Sequence, residues 1–116
     1  MKKSCLIAIM LVFVIAGCAP KTMYNWGGYS SSLHNYKKNP SNETLEAHKK
    51  MLLHIIDSSN KDGKRVPPGV YCEYGYLLAQ DGNTDEALRY FDREKKTYPE
   101  STVFVERLTQ MVKIDR

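Results

Sequence analysis

The sequence lacks the motifs that most often identify an enzyme or a metal protein. It has three cysteines, and no HExxH pattern or other metal-ligand spacing joins His34, His48 and His54. It also contains no nucleophile elbow, no phosphate-binding loop and no paired-carboxylate signature. We therefore expect a protein without catalytic residues, without a bound metal and without a dissociable cofactor.

A strong excess of charge of one sign is also missing. The chain has 17 Lys and Arg against 13 Asp and Glu, a net charge of +4. Loss of residues 1–17 would remove Lys2 and Lys3 and no acidic residue. The mature chain would then have 15 basic and 13 acidic side chains. So small a balance argues against binding to nucleic acid.

Long apolar runs are absent except for one near the start. Residues 6–16 form an unbroken apolar run after Lys2 and Lys3, too short for a comfortable transmembrane helix and of the length of a signal-peptide core. The run leads into IAGC at residues 15–18, which resembles a bacterial lipobox. This resemblance implies that residues 1–17 are a lipoprotein signal peptide. The alternatives are an ordinary cleaved secretory peptide and a retained hydrophobic helix.

The lipobox implies that Cys18 carries a diacylglyceryl thioether and an N-acyl chain and becomes the first mature residue. Each buried CH₂ of those chains contributes about 0.8 kcal/mol, so several chains would hold the protein on a membrane durably. Ala19 rather than Asp follows the cysteine. By resemblance to enterobacterial sorting, this favours the outer membrane, with residues 18–25 as a tether and the domain facing the periplasm.

Cys72 is then the only free thiol, because Cys5 leaves with the signal peptide and Cys18 carries lipid. No internal disulfide can form in the mature chain. We expect Cys72 to be a buried packing residue in an oxidising compartment; the alternatives are a reactive thiol or an intermolecular pairing.

The 99 residues after the signal peptide suffice for one small core. We therefore expect a single helical domain over residues 26–116. A first helix is predicted over residues 26–38, with its aromatic side buried. A second is predicted over residues 42–58, and residues 58–64 predict a polar loop. The apolar face of the second helix is formed by Leu45, His48, Leu52, Ile55 and Ile56. His48 on such a face indicates a satisfied core histidine rather than a ligand.

Residues 71–101 predict two short helices packed against each other. Pro67 and Pro68 favour the start of the first helix, and residues 81–83 (DGN) favour its end. Thr84 is predicted to cap the next helix, and Pro99 marks that helix's limit. A last helix is predicted over residues 101–114, with an apolar face formed by Phe104, Val105, Leu108, Met111 and Val112.

This pair of helices resembles a tetratricopeptide repeat. The positions that carry the resemblance are Gly75, Gly82, Ala87, Phe91 and Pro99. Gly75 and Ala87 are predicted to lie where the two helices cross closely, whereas Glu94 departs from the small residue expected at its position. Tyr71, Tyr74 and Leu78 recur 34 residues later as Val105, Leu108 and Val112. The resemblance implies an all-α fold of about five helices, stacked as antiparallel pairs.

Most of the mature chain also resembles a family of small bacterial lipoproteins classed as a domain of unknown function. The shared motifs are YNWGGY at residues 24–29, GKRVPPGVY at residues 63–71 and YPES at residues 98–101, together with Leu33, Tyr36, Pro40 and Phe104. Genes of that family tend to lie beside a gene for a CsgG-like lipoprotein. The resemblance therefore implies an assembly role at the cell envelope, with a CsgG-like lipoprotein as partner and no catalytic residues to carry over.

Three surfaces are candidates for binding. Repeat geometry predicts a concave groove for a partner's peptide or helix, formed by Cys72, Tyr76, Ala79, Glu106, Gln110 and Lys113. A basic patch of Lys61, Lys64 and Arg65 predicts a weaker interaction site, for which a solvated linker is the alternative. The aromatics Trp26, Tyr29 and Tyr36 predict a stacking platform for glycan or peptidoglycan if they are exposed. A homo-oligomer through the last helix is a further possibility.

Overall fold

The computed structural model describes residues 21–115, and within them the chain is all-α. The helices are α1 (Tyr29–Lys38), α2 (Asn42–Lys61), α3 (Val70–Gln80), α4 (Thr84–Thr97) and α5 (Thr102–Ile114), with a 3₁₀ turn at Pro99–Ser101 before α5. No strand occurs in this part of the chain. The prediction of an all-α fold with five helices is confirmed. The predicted signal peptide at residues 1–17 and the predicted lipidation site Cys18 lie outside the described residues.

Each helix packs against the next one along the chain, and α3 also contacts α5. The most extensive contact joins α3 and α4, which run antiparallel because only residues 81–83 connect them. Apolar side chains form two buried clusters. The first contains Leu52, Ile55, Ile56, Val66, Val70, Tyr71 and Leu77, and the second contains Cys72, Phe91, Val105 and Val112. Helix α3 contributes to both clusters and is the centre of the fold.

The close crossing of α3 and α4 depends on Gly75, as predicted. A Cβ atom on Gly75 would lie 2.9 Å from Cε1 of Phe91 and 3.0 Å from the backbone oxygen of Ala87. Ala87 is itself fully buried. A larger side chain at either position would push the two helices apart.

Helix α2 is longer than the sequence predicts. It continues through Ser58 to Lys61, and the expected polar loop is wrong over those residues. The Ser58 hydroxyl donates to the backbone oxygen of Ile55 (3.2 Å), and Ser59 is fully buried. The Ser58 hydroxyl is thus satisfied within the helix, whereas Oγ of Ser59 has no hydrogen-bond partner among the described residues. After Lys61 a Schellman motif ends the helix: Gly63 has φ 63°, and the Gly63 and Lys64 amides donate to the Asn60 and Ser59 carbonyls.

Helix α3 ends as predicted, with the same motif at Gly82. The Gly82 amide donates to the Ala79 carbonyl (3.0 Å) and the Asn83 amide donates to the Leu78 carbonyl (2.9 Å). Gly82 has φ 83°, a conformation that glycine adopts without strain. The cap of α4 is Asn83 and not Thr84, which is the first residue of that helix and is buried.

Three other helix starts differ from the predicted ones by a few residues. Helix α1 begins at Tyr29 rather than at Trp26, because residues 26–28 form a turn in which the Tyr29 amide donates to the Trp26 carbonyl (3.1 Å). Helix α3 begins at Val70, and the two prolines lie in the preceding turn. Helix α5 begins at Thr102, after the 3₁₀ turn.

Candidate functional site

A groove runs along the surface between α3 and α5. It consists of three cavities of about 330, 350 and 500 Å³, of which the 350 Å³ cavity shares lining residues with each of the other two. The residues on its α3 side are Cys72, Tyr76 and Ala79, and those on its α5 side are Phe104, Leu108 and Val112. We call this surface the α3–α5 groove.

The α3 side of the groove is formed by the residues that the sequence predicts, whereas the α5 side is not. Glu106, Gln110 and Lys113 are exposed but line none of the three cavities. Helix α5 buries Val105 and Val112. The α5 side chains that line the groove are therefore Val112 and the neighbouring Phe104 and Leu108 on the helix surface. The α3–α5 groove is thus lined on its α5 side by other residues than the three predicted polar ones, whose contact with a partner stays a prediction.

Cys72 forms part of the floor of the groove and is buried, with 6 % of its surface exposed. The prediction of a buried free cysteine is confirmed, and its exposure on the concave surface is not. Burial and the nearby Glu94 carboxylate raise the pKa of the Cys72 thiol to about 12. The thiol is therefore protonated and a poor nucleophile at neutral pH.

Apolar side chains are exposed along the edge of the groove. Tyr76 is 40 % exposed and Phe104 is 62 % exposed. Further exposed apolar residues on α5 are Val103, Met111 and Ile114. The sequence places Phe104 and Met111 on the buried face of the last helix, but both lie largely in solvent. Such a patch beside a groove is typical of a protein interaction site.

Glu94 lies at one end of the groove and is almost completely buried, with 3 % exposure. Its Oε1 atom accepts a hydrogen bond from the Gly69 amide (2.8 Å) at the start of α3. Its Oε2 atom has no partner within hydrogen-bond distance and angle among the described residues. The amides of Tyr71 and Cys72 still favour the carboxylate, but burial outweighs them and raises the pKa of Glu94. The departure of Glu94 from the repeat pattern was the sequence signal for this site.

A polar cluster connects α1, α2 and α3. The Nε2 atom of His48 lies 2.8 Å from Oε1 of Glu73, and its Nδ1 atom lies 2.8 Å from Oγ of Ser32. The Tyr29 hydroxyl donates to Oε2 of Glu73 (2.8 Å). Burial, followed by this bond to Glu73, raises the pKa of Tyr29 to about 12. The prediction that His48 is a satisfied core histidine is confirmed, whereas the parts played by Ser32 and Glu73 were missed.

Serine, histidine and glutamate in contact are also the components of a hydrolytic triad, so the chemistry of this cluster needs to be considered. A catalytic serine needs a neighbouring space for substrate and donors for an oxyanion. His48 is 1 % exposed, and neither His48 nor Ser32 lines any of the cavities described above. The Ser32 hydroxyl also lies 3.0 Å from the Tyr29 carbonyl of its own helix. This geometry suits a structural connection between three helices.

The three aromatics predicted to form a stacking platform are not equally exposed. The rings of Tyr29 and Tyr36 pack on the His48 ring, with centroids 5.6 and 6.4 Å away, and both are half-buried. Trp26 is 42 % exposed, and its ring centroid lies 5.3 Å from that of Tyr29. A flat sugar-stacking surface would therefore rest mainly on Trp26.

The basic patch is partly engaged in contacts within the chain. The Lys64 ammonium donates to Oδ1 of Asn25 (2.9 Å). The Arg65 guanidinium lies 4.4 Å from the Tyr98 ring centroid and donates to the Thr97 carbonyl. Lys61 is exposed at the end of α2. Two of the three predicted cations thus stabilise the domain.

The fold and the groove define a small all-α domain with an open apolar surface. No helix in the part that the structure describes is long and apolar enough to cross a membrane. Residues 23–108 match the family model described as a domain of unknown function (DUF4810), and the chain belongs to that family. No curated protein and no solved structure shows significant similarity to it.

Proposed function

We propose that this protein is a non-enzymatic lipoprotein that holds or assembles other envelope proteins through the α3–α5 groove. It is anchored through acylated Cys18 in the outer membrane, with its domain in the periplasm, and a CsgG-like lipoprotein is the first partner to test. The observation that carries the proposal is the exposed apolar edge of the groove at Tyr76 and Phe104. The lipobox at residues 15–18 supports the anchor.

We also propose that the helices form tetratricopeptide-like pairs, with α5 as the first helix of an incomplete pair. Support comes from the close crossing at Gly75, the Schellman motif at Gly82 and the buried Phe91. In such repeats, a following helix covers the outer side of the preceding pair. The exposed apolar residues of α5 are those that a further helix would cover.

Photo-crosslinking in intact cells tests the proposed interaction. A photoreactive amino acid at position 76 should capture an envelope protein that mass spectrometry can identify, whereas the same group at exposed Lys38 on α1 should not. Capture of a second copy of this chain would identify a homo-oligomer. Equal capture from both positions, or none from position 76, would contradict the assignment of the groove.

Metabolic labelling tests the anchor separately. Labelled palmitate should attach to the wild-type chain and not to a Cys18→Ser variant, whereas Cys72→Ser should label normally because its thiol is buried. Fractionation should place the labelled chain in the outer membrane. Labelling that persists in Cys18→Ser would refute the assignment of the anchor.

A second candidate function is glycan or peptidoglycan binding, which the exposure of Trp26 favours. The rings of Tyr24 and Tyr29 flank Trp26, with centroids 6.5 and 5.3 Å away. Co-sedimentation with purified sacculi tests this proposal. Trp26→Ala should abolish co-sedimentation at micromolar protein, and an unchanged pellet fraction would exclude the indole as the binding group.

A further inference from the structure

The end of the α3–α5 groove near the 3₁₀ turn contains carboxylates and no cation. Its cavity of about 330 Å³ is lined by Glu94 and Glu100 together with Cys72, Tyr98, Ser101 and Phe104. Glu73 and Asp115 lie along the rest of the groove, and no Lys or Arg lines any of its three cavities. Among the described residues that line the groove, the charged side chains are therefore all carboxylates, beside apolar side chains and uncharged polar ones such as Gln80 and Thr84.

The polar groups of this cavity differ in whether the chain itself satisfies them. The Tyr98 hydroxyl donates to the Val66 carbonyl (2.6 Å), and the Ser101 hydroxyl donates to the Tyr98 carbonyl (2.7 Å). In contrast, Oε2 of Glu94 has no hydrogen-bond partner, and Glu100 is exposed without a basic partner among the described residues. The acceptors that the chain leaves without a partner are both carboxylates, that of Glu94 buried and that of Glu100 exposed.

A cation from a partner would complete this arrangement. Oε2 of Glu94 is itself covered, whereas Glu100 in the same cavity is exposed. A cation bound at Glu100 also gains attraction to the Glu94 carboxylate, which folding has already removed from water. Glu100 lies close enough to raise the pKa of Glu94, so the cation would separate two like charges. Anionic groups, including lipid phosphates, would be repelled.

Resting on the function proposed above, we propose that the α3–α5 groove binds an amphipathic helix of a partner protein that carries a Lys or Arg at one end. The apolar side chains of that helix lie over Tyr76 and Phe104, where this chain exposes apolar surface. Its cation enters the Glu94–Glu100 cavity. The partner is thus distinguished by basic charge beside an apolar stripe.

Two designed 18-residue helical peptides with the same leucine stripe test this proposal. One carries lysines beside the stripe and the other carries glutamates at the same positions. Fluorescence anisotropy with the full lipidated chain in neutral detergent should show binding of the lysine peptide at least about ten-fold tighter, with a difference that shrinks at high salt. A scrambled lysine peptide controls for unspecific attraction, and binding equal to that of the helical one would overturn the proposal.

Matched carboxylate variants locate the contact. Glu100→Gln should lower the affinity for the lysine peptide about five-fold. Glu106→Gln, on α5 but outside the cavities, should leave that affinity within about two-fold of the wild-type value. Glu94→Gln should also weaken it, with circular dichroism as the check of folding. Equal affinities of the two peptides, or equal losses in Glu100→Gln and Glu106→Gln, would overturn the proposal. If photo-crosslinking at position 76 captures an envelope protein but the two peptides bind equally, the proposed function is kept. Only the preference of the groove for a cation is then rejected.

Discussion

The first and last helices of the described domain are attached in opposite ways. Helix α1 has no fully buried residue and is held by hydrogen bonds from Tyr29 and Ser32 and by aromatic rings around His48. Helix α5 is held by Val105 and Val112 in an apolar cluster, yet it exposes Phe104 to solvent. One end is closed by specific polar contacts, and the other leaves an apolar surface open.

This difference indicates where a partner can bind. A polar network fixes one geometry because each buried group needs its own partner, and it leaves little for another molecule to satisfy. An apolar helix face has no such requirement and can be covered by any complementary surface. The α5 end is therefore the end at which the chain can be extended by another protein.

Removal of the Phe91 ring from the second apolar cluster should have the largest effect on stability. Phe91 is 1 % exposed, and we expect Phe91→Ala to lower the free energy of unfolding by about 3–5 kcal/mol. Urea denaturation followed by circular dichroism measures this change. Phe104→Ala is the matched control, because the same truncation at an exposed site should change stability by no more than about 0.5 kcal/mol. Similar losses in both variants would refute the distinction between the buried second cluster and the exposed face of α5.

Removal of the His48 imidazole tests the α1 end of the domain. His48→Ala removes one hydrogen-bond partner from Ser32 and one from Glu73, and we expect a loss of about 2–3 kcal/mol. His54→Ala, at an exposed position of the same helix, should be nearly neutral. Urea midpoints compare the two variants. A neutral His48→Ala would mean that the Tyr29–Glu73 hydrogen bond and the remaining contacts hold α1 without the imidazole.

The sequence predicted the helices better than the contacts between them. Apolar spacing predicted five helices, and residues 81–83 predicted the end of α3 at Gly82, because these features depend on neighbours along the chain. The crossing at Gly75 joins residues 12 and 16 positions apart, and it was predicted with the resemblance to a tetratricopeptide repeat. The polar cluster joins residues 16 and 25 positions apart, and no local pattern marks such pairs. The groove was half predicted, because the rotation of α5 about its axis depends on which valines the second cluster buries.

A single hydroxyl allows a finer test of the α1 end. Tyr29→Phe keeps the ring but removes the hydrogen bond to Glu73, and we expect a loss of about 1 kcal/mol. Tyr36→Phe keeps the ring that stacks on His48, and its hydroxyl has no hydrogen-bond partner among the described residues, so it should be neutral. Thermal unfolding of the two variants gives the comparison. Equal melting temperatures would show that water replaces the tyrosine hydroxyl without loss.

The smallest effect is expected at Glu94, and it should depend on pH. Burial raises the pKa of Glu94, so above the ordinary glutamate range the folded chain keeps a proton that the unfolded chain has released. Within that window the free energy of unfolding falls as the pH rises, because the folded state binds more protons. Glu94→Gln removes this titration, so its stability relative to wild type should increase with pH through the window and then level off. Urea titrations across this pH range measure the difference, and a constant difference would mean that Glu94 keeps its ordinary pKa.

Glu73→Gln should lower the stability of the domain at neutral pH, whereas Glu94→Gln should raise it. This pair of variants completes the comparison of the two ends. Glu73 receives hydrogen bonds from Tyr29 and His48, so Glu73→Gln should destabilise the fold at neutral pH by disturbing both. Glu94 has one satisfied and one open oxygen, so its charge is a burden to the isolated chain at neutral pH. A carboxylate that weakens the free domain and gains from an external donor fits a binding surface, whereas one satisfied by its own chain fits a closed end. Stabilisation by Glu73→Gln would remove the basis for treating the two ends differently.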